Sequence, residues 1–121
     1  MNLYFTDRQL DLMNILWDRG SATVREAKEE LDEDLAYTSV LTVFQTLEEN
    51  GRVEHEREGK AYRYYPSVTR EETGRHAVGY VLRRLFNDSP SAFLDSLHRS
   101  EELSAEESEA VRQYVREGVE A

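Results

Sequence analysis

The sequence predicts a mainly α-helical fold with one small β-hairpin, followed by a C-terminal helical extension. Apolar residues recur at helical spacing in three segments before residue 51. Between residues 52 and 65 the pattern changes to alternation at every second residue, which is typical of β-strands. Helical spacing returns after residue 69. Three helices followed by a hairpin is the order of a winged helix-turn-helix domain, so we expect this domain at residues 1–68 and a helical domain at residues 69–121.

The net charge is the main argument against a nucleic-acid partner. The 121 residues include 15 Lys and Arg against 25 Asp and Glu, which gives a net charge of −10. Residues 1–68 carry 8 basic and 14 acidic side chains, and residues 69–121 carry 7 and 11, so neither part is basic. Because contacts with phosphates supply most of the affinity for DNA, any DNA binding depends on a small basic patch and responds steeply to salt.

Composition also restricts the compartment and the chemistry. The chain has no cysteine, which excludes disulfides, thiolate metal ligands and a thiolate nucleophile. No apolar run approaches the roughly 20 residues of a membrane span, and no signal-peptide pattern opens the chain. We therefore expect a cytoplasmic protein that does not enter a membrane.

Two capping boxes open the first two helices. In such a box a threonine side chain and an acidic or amide side chain three residues later bond each other's backbone amides. Thr6 and Gln9 form the first box, and Thr23 and Glu26 form the second. The apolar side chains expected to face the core are Leu10, Met13, Leu16, Trp17, Val24, Ala27 and Leu31.

The third helical segment, Tyr37–Gly51, opens with an N-cap candidate and has an uncharged polar face. Its apolar stripe consists of Val40, Val43, Phe44 and Leu47. The candidate DNA contacts on the other side are Tyr37, Thr38, Ser39, Thr42, Gln45 and Thr46. Short hydroxyl and amide side chains suit base edges and phosphate oxygens, although a threonine-rich surface helix is the alternative. Glu48 and Glu49 repel phosphates, so we expect the front half of the helix to enter the groove.

The alternating segment predicts a β-hairpin with a basic tip. Residues 52–57 and 60–65 are the expected strands, and Glu58-Gly59 is the expected two-residue turn. Arg57, Lys60 and Arg63 face only one acid, Glu58, and are the expected phosphate contacts of this wing. The alternative is a solubilising hairpin tip without a partner.

The helices after residue 69 carry more apolar surface than so short a chain covers. Capping boxes at Thr69–Glu72 and Ser104–Glu107 open the first and the last, and Ser89-Pro90 opens the middle one. The predicted contact residues are Val78, Val81, Leu82, Leu85, Phe86, Phe93, Leu94, Leu97, Val111, Tyr114 and Val115. We expect a second copy to cover them, which makes the three helices a dimerisation arm. A monomer in which they fold back on residues 1–68 is the alternative.

No pattern in the sequence favours catalysis or a cofactor. His55, His76 and His98 are scattered over separate segments, and none has a second histidine near it. The spacing therefore favours surface ion pairs over a zinc site. Phosphate-binding glycine loops, nucleophile elbows and HExxH motifs do not occur in the sequence. We expect no enzyme, no metal and no cofactor.

Three stretches carry a resemblance to a known family. They are TDRQLDLMNILWDRGSATVREAKEEL, LAYTSVLTVFQTLEENGRV and REGKAYRYYP, which together cover most of residues 6–66. In order and spacing they resemble the penicillinase-repressor and methicillin-resistance-repressor (BlaI/MecI-type) family of transcriptional regulators. The resemblance implies a winged-helix homodimer that represses transcription from an inverted-repeat operator in double-stranded DNA. It assigns groove contacts to Thr38, Ser39 and Thr42, and phosphate contacts to Arg57 and Lys60.

Two departures from the family pattern concern the inducing signal. In members of this family a membrane sensor protease cuts the dimer arm when β-lactam is present, which links them to antibiotic resistance. The Asn-Phe pair that is cut in staphylococcal-type members does not occur in residues 69–121. The cysteine-rich motif of the related copper-responsive repressors is also missing. Two other classes remain open at this point, a protein-interaction module and a small-molecule-sensing regulator.

Overall fold

The computed structural model describes residues 5–31 and 33–117. Its elements in chain order are α1 (Asp7–Arg19), β1 (Ala22–Thr23), α2 (Val24–Leu31), α3 (Tyr37–Glu49), β2 (Val53–Glu58), β3 (Ala61–Pro66), α4 (Arg70–Leu85), α5 (Pro90–Arg99) and α6 (Ala105–Arg116). The chain divides into two compact units, Met1–Ala77 and Val78–Ala121, and the division falls inside α4. The domain boundary expected from the sequence lies earlier, after residue 68. Asp32, part of the expected acidic loop, lies outside the described residues.

One hydrophobic core holds the first unit together. Its buried members are Phe5, Leu12, Met13, Leu16, Ala22, Val24, Ala27, Val40, Phe44, Leu47, Val53, Tyr64 and Val68. The rings of Phe44 and Tyr64 stack with their centroids 4.4 Å apart, which joins α3 to β3. Trp17 packs against the core, as expected, and its Nε1 donates a hydrogen bond to the Val68 carbonyl at 2.9 Å.

All four predicted capping boxes are confirmed. The threonine or serine side chain at each N-cap accepts a hydrogen bond from the backbone N–H three residues later, at 3.0–3.2 Å. The start of α3 was predicted wrongly, because its N-cap is Ala36, which has no side-chain acceptor. Burial of Val40, Phe44 and Leu47 therefore holds α3 in place without a cap.

The sheet differs from the prediction in two details. The short strand β1, which was not among the expected strands, pairs with β3, and the strand order is β1-β3-β2 with antiparallel pairs. Glu58 pairs with Ala61, so the two-residue turn is Gly59-Lys60 and not Glu58-Gly59. Gly59 has φ +62°, as the first central residue of a type II′ turn requires. This turn fits the right-handed twist of the strands and places Lys60 at the tip.

The second unit buries little apolar surface. None of its described hydrophobic side chains is fully buried, and Leu85 and Tyr114 are 75% and 60% exposed. Phe86 and Phe93 form an edge-to-face pair with centroids 5.5 Å apart. The predicted break between α4 and α5 is confirmed, with Asn87 and Asp88 at positive φ and Ser89 capping α5. In the described part of the chain, no helix has the length and hydrophobicity needed to cross a membrane.

An ion-pair network ties the central strand β3 to α2 and to the end of β2. The Arg63 guanidinium donates to Glu26 at 3.0 Å and to Glu58 at 2.9 Å. The pKa of Glu26 is lowered below its ordinary value, first by the hydrogen bond from the Thr23 backbone amide and then by Arg63. The carboxylate of Glu26 is therefore stabilised in its charged form by the fold.

This network predicts a dependence of stability on pH. The folded-state pKa of Glu26 lies below its ordinary value of 4.5, so its contribution is complete above about pH 4.5 and is lost as the pH falls through the folded-state pKa. In urea titrations between pH 7 and pH 3, the free energy of unfolding should fall less steeply for Glu26→Gln than for the wild type. Glu29→Gln, an exposed position of α2, should keep the wild-type slope. If the free energy of unfolding depends on pH in the same way for Glu26→Gln and wild type, the lowered pKa of Glu26 is contradicted.

Candidate nucleic-acid interface

The outer face of α3 is exposed and uncharged over its first three turns. The side chains on this face, Thr38, Ser39, Thr42, Gln45 and Thr46, are all exposed, and Tyr37 at the start of the helix is 46% exposed. Burial of the opposite stripe fixes the rotation of the helix about its axis. The structure therefore brings all six predicted residues of this helix to one accessible surface.

Two threonines of this face use their hydroxyl hydrogens within the helix. Thr42 Oγ1 donates to the Thr38 carbonyl at 2.8 Å, and Thr46 Oγ1 donates to the Thr42 carbonyl at 3.1 Å. Each side chain then offers a methyl group and an accepting oxygen outward, but no free donor. A threonine methyl group can contact the methyl group of thymine in the major groove. These two hydroxyls can therefore accept hydrogen bonds from DNA but cannot donate them while the bonds within the helix are kept.

The wing presents two cations at its tip. Arg57 Nε donates to the Gly59 carbonyl at 3.3 Å, and its guanidinium lies 5.9 Å from the centroid of the Tyr62 ring. Lys60 is exposed in the turn, and no described residue pairs with it. Both positive charges are therefore available to an anionic partner.

Arg63, the third predicted wing contact, is placed differently. It pairs in register with Thr23 of β1, which brings it beside Glu26 of α2. Its side chain is only 20% exposed, and two carboxylates neutralise its charge. The same two hydrogen bonds raise its pKa above the ordinary arginine value. This occupation argues against the phosphate contact that we predicted for Arg63.

Three other arginines of the first unit are also neutralised. The pairs are Arg8 with Asp11 and Glu33, Arg19 with Glu26 and Glu30, and Arg70 with Asp18. Arg52 has no acidic partner among the described residues. It donates instead to the Asn50 carbonyl at 2.8 Å and lies over the Phe5 ring. Free positive charge in this unit is therefore restricted to a few positions.

Arg25 and Lys28 are two such positions that the sequence argument missed. They lie one turn apart on α2, and no acid in the described part of the chain pairs with either. Sequence reasoning could not separate them from the neutralised arginines, because Arg8 and Arg63 find acids 25 and 37 residues away along the chain. Their location on α2 could have identified them, because the first helix of a helix-turn-helix crosses the DNA backbone.

A histidine connects the wing to α3. Nδ1 of His55 lies 2.7 and 2.8 Å from the two carboxylate oxygens of Glu48, and its ring lies 4.4 Å from that of Tyr62. Glu48, which was expected to repel phosphates, is thus engaged with the wing. Burial raises the pKa of the neighbouring Tyr64 hydroxyl, and the negative charge of Glu48 adds to this effect.

The remaining residues show no alternative chemistry. No group of three or more potential metal ligands occurs in the described part of the chain. The second unit has a cavity of about 240 Å³ between α5 and α6, lined mainly by leucine and valine side chains. The candidate interface is therefore formed by the uncharged face of α3 and the cations of α2 and the wing.

Comparisons with known proteins agree with this geometry. A family model described as "Penicillinase repressor" matches residues 5–117. "Transcriptional regulator BlaI" of Mycobacterium tuberculosis is 34% identical over 116 residues, which cover 92% of this chain and 82% of that protein. "Penicillinase repressor" of Bacillus licheniformis is 22% identical over 114 residues, which cover 93% and 89%. The family resemblance seen in the sequence is confirmed.

A solved structure shares the fold of the first unit. It is the solution structure of the DNA-binding domain of the repressor BlaI, with a TM-score of 0.51 and 23% identity over 56% of this chain and 85% of that one. Three helices, a third short strand and a hairpin therefore form a winged helix, as the sequence predicted.

The free cations of α2 generate a prediction about DNA affinity. Arg25→Ala should weaken binding to all duplexes alike, and should reduce the slope of log affinity against log salt by about one, because one phosphate contact is lost. Arg19→Ala removes the same charge from a position already neutralised by Glu26 and Glu30, and should keep the wild-type slope. Fluorescence anisotropy across a salt series measures both. An equal change in the two variants would contradict a contact at Arg25.

Proposed function

The chain belongs to the penicillinase repressor family, and we propose that it acts as a homodimer that binds an inverted-repeat operator through α3 and the wing. It is a DNA-binding transcriptional repressor and not an enzyme, in agreement with the sequence prediction. One observation supports the proposed interface most strongly. In an acidic molecule, an uncharged exposed helix face is accompanied by two cations, Arg57 and Lys60, that have no acidic partner among the described residues.

The proposed reading of DNA uses the front of α3. This end enters the major groove and presents the side chains of Thr38 and Ser39, the methyl group of Thr42 and the amide of Gln45. Arg57 and Lys60 bind phosphates beside the groove and set the position of the helix without reading sequence. Because few phosphates are contacted and the rest of the surface is acidic, non-specific binding is weak.

The proposed dimer rests on the exposed apolar surface of the second unit. The described side chains of this unit include Val78, Leu85, Tyr114 and Val115, each at least 44% exposed in a single chain. A second copy that covers them removes this surface from water. Dimerisation also joins two half-site interactions, so the second binding step benefits from a high effective concentration.

Release from the operator is proposed to act through the same arm. Separation of the two copies removes the effective concentration that holds the second half-site. The Asn-Phe pair at which staphylococcal-type members are cut does not occur in residues 69–121, so the signal need not be that cleavage. Any event that unpacks the arm, including cleavage by a sensor protease at another peptide bond, has the same effect on occupancy.

A binding experiment tests the operator proposal directly. A labelled inverted-repeat duplex from the promoter upstream of the gene should bind far more tightly than a scrambled duplex. Thr42→Ala should relax discrimination at one base pair, because a lost base contact costs about 1–3 kcal/mol. Glu29→Ala, exposed on α2, is a control that should leave discrimination unchanged. Equal binding of both duplexes by the wild type would instead favour a protein-interaction module.

A substitution in the arm tests the dimer. Leu85→Glu places a charge at the most exposed of the large apolar side chains and should yield monomers with weaker operator binding. Ser96→Glu, at an exposed polar position of α5, should remain dimeric. Analytical ultracentrifugation at micromolar concentration gives the oligomeric state. A monodisperse monomer for the wild type would contradict the proposed dimer.

A further inference from the structure

A row of four side chains runs from the C-terminal end of α3 to the tip of the wing. Glu48 of α3 binds His55 of β2, His55 packs on Tyr62 of β3, and the guanidinium of Arg57 lies over the Tyr62 ring. The successive separations are 2.7 Å between Glu48 Oε2 and His55 Nδ1, 4.4 Å between ring centroids, and 5.9 Å from Arg57 Cζ to the Tyr62 centroid. We call these four residues the wing row.

His55 is held from two sides. Both carboxylate oxygens of Glu48 lie within hydrogen-bond distance of its Nδ1, so this nitrogen is the donor. Its ring also lies 5.5 Å from that of Tyr64, which stacks on Phe44 in the core. The imidazole is therefore fixed by α3 and by the buried ring pair together.

The core alone does not fix the tip of the wing. Val53 is the only buried residue of β2, and the five residues that follow it in the strand are exposed. A two-stranded hairpin with so little burial twists and bends easily. The wing row connects the outer half of the hairpin to α3, whereas Glu58 and Arg63 connect it to Glu26 of α2.

We propose that His55 and Tyr62 are positioning residues for DNA binding, which hold Arg57 and Lys60 at a fixed distance from α3. The inference rests on the proposed function, because the distance between the wing and α3 matters for binding only if α3 enters the groove of DNA. The row has a second effect. It holds the Glu48 carboxylate on the side of the wing.

A double-mutant cycle tests this assignment. His55→Ala, Lys60→Ala and the double variant are compared in operator affinity across a salt series. If His55 acts by positioning the wing cations, His55→Ala itself should reduce the salt slope by about one or more, although it removes no permanent cation. Adding Lys60→Ala should then change the affinity by less than about twofold, because the misplaced lysine no longer contacts phosphate. If His55 contributes only to stability, the losses of operator affinity in the two single variants should multiply in the double variant. The salt slope of His55→Ala should then equal that of the wild type.

Substitutions of Tyr62 supply a test that does not remove the histidine. Tyr62→Phe keeps the ring and should bind the operator as the wild type does. Tyr62→Ala removes the ring and should reproduce the reduced slope. Arg25→Ala is the control partner, and its effect should multiply with that of His55→Ala, because α2 is not part of the wing row. Unfolding titrations of each variant show that the folded state is populated in every binding measurement.

The outcomes separate this inference from the proposed function. If the wild type binds the operator and Lys60→Ala weakens it, but the effects of His55→Ala and Lys60→Ala multiply, the positioning role is wrong and the repressor function stands. If the wild type does not distinguish the operator from a scrambled duplex, the proposed function itself is wrong. If the effects of His55→Ala and Lys60→Ala on affinity do not multiply, and Tyr62→Phe binds as the wild type does, the positioning role is supported.

Discussion

The stacked rings of Phe44 and Tyr64 hold the DNA-facing helix against the sheet. Both side chains are fully buried, and the pair joins the centre of α3 to the central strand β3. A stacked pair of this kind contributes about 0.5–1.5 kcal/mol beyond the burial of its surface. Its structural effect is larger than this figure suggests. It fixes the side of α3 that faces outward and the strand from which the wing extends. The same ring pair therefore positions both the helix face and the wing.

The charge distribution explains how an acidic protein can present a basic surface. Ion pairs neutralise Arg8, Arg19, Arg63 and Arg70, each by an acid from another part of the fold. Such exposed pairs contribute little to stability, with typical values of about 0–1 kcal/mol. Their effect here is to leave free positive charge at α2 and the wing. The remaining acids repel DNA that approaches from other directions. This repulsion favours one orientation of the protein on DNA and lowers the total affinity.

Local patterns predicted most of the fold. Each capping box needs only two residues three positions apart, and the stripe of Val40, Phe44 and Leu47 needs only one helix, so neighbouring sequence contains the whole signal. The two-residue strand β1 has no period to detect, and the turn at Gly59 depends on the register chosen by both strands. The partners of Arg63 and of His55 are set by packing between elements. Composition could therefore predict a basic wing but not which of its cations is free.

The exposed apolar surface of the arm makes folding of the second unit depend on the concentration of the chain. In the described part of the second unit no hydrophobic side chain is fully buried, so a single chain has little free energy with which to keep these helices folded. In the proposed dimer, folding of the arm and pairing of the chains become one equilibrium. Below the dissociation constant, the number of active repressors then grows with the square of the number of chains. A modest change in the rate of repressor synthesis would then change operator occupancy more than proportionally, with no inducer involved.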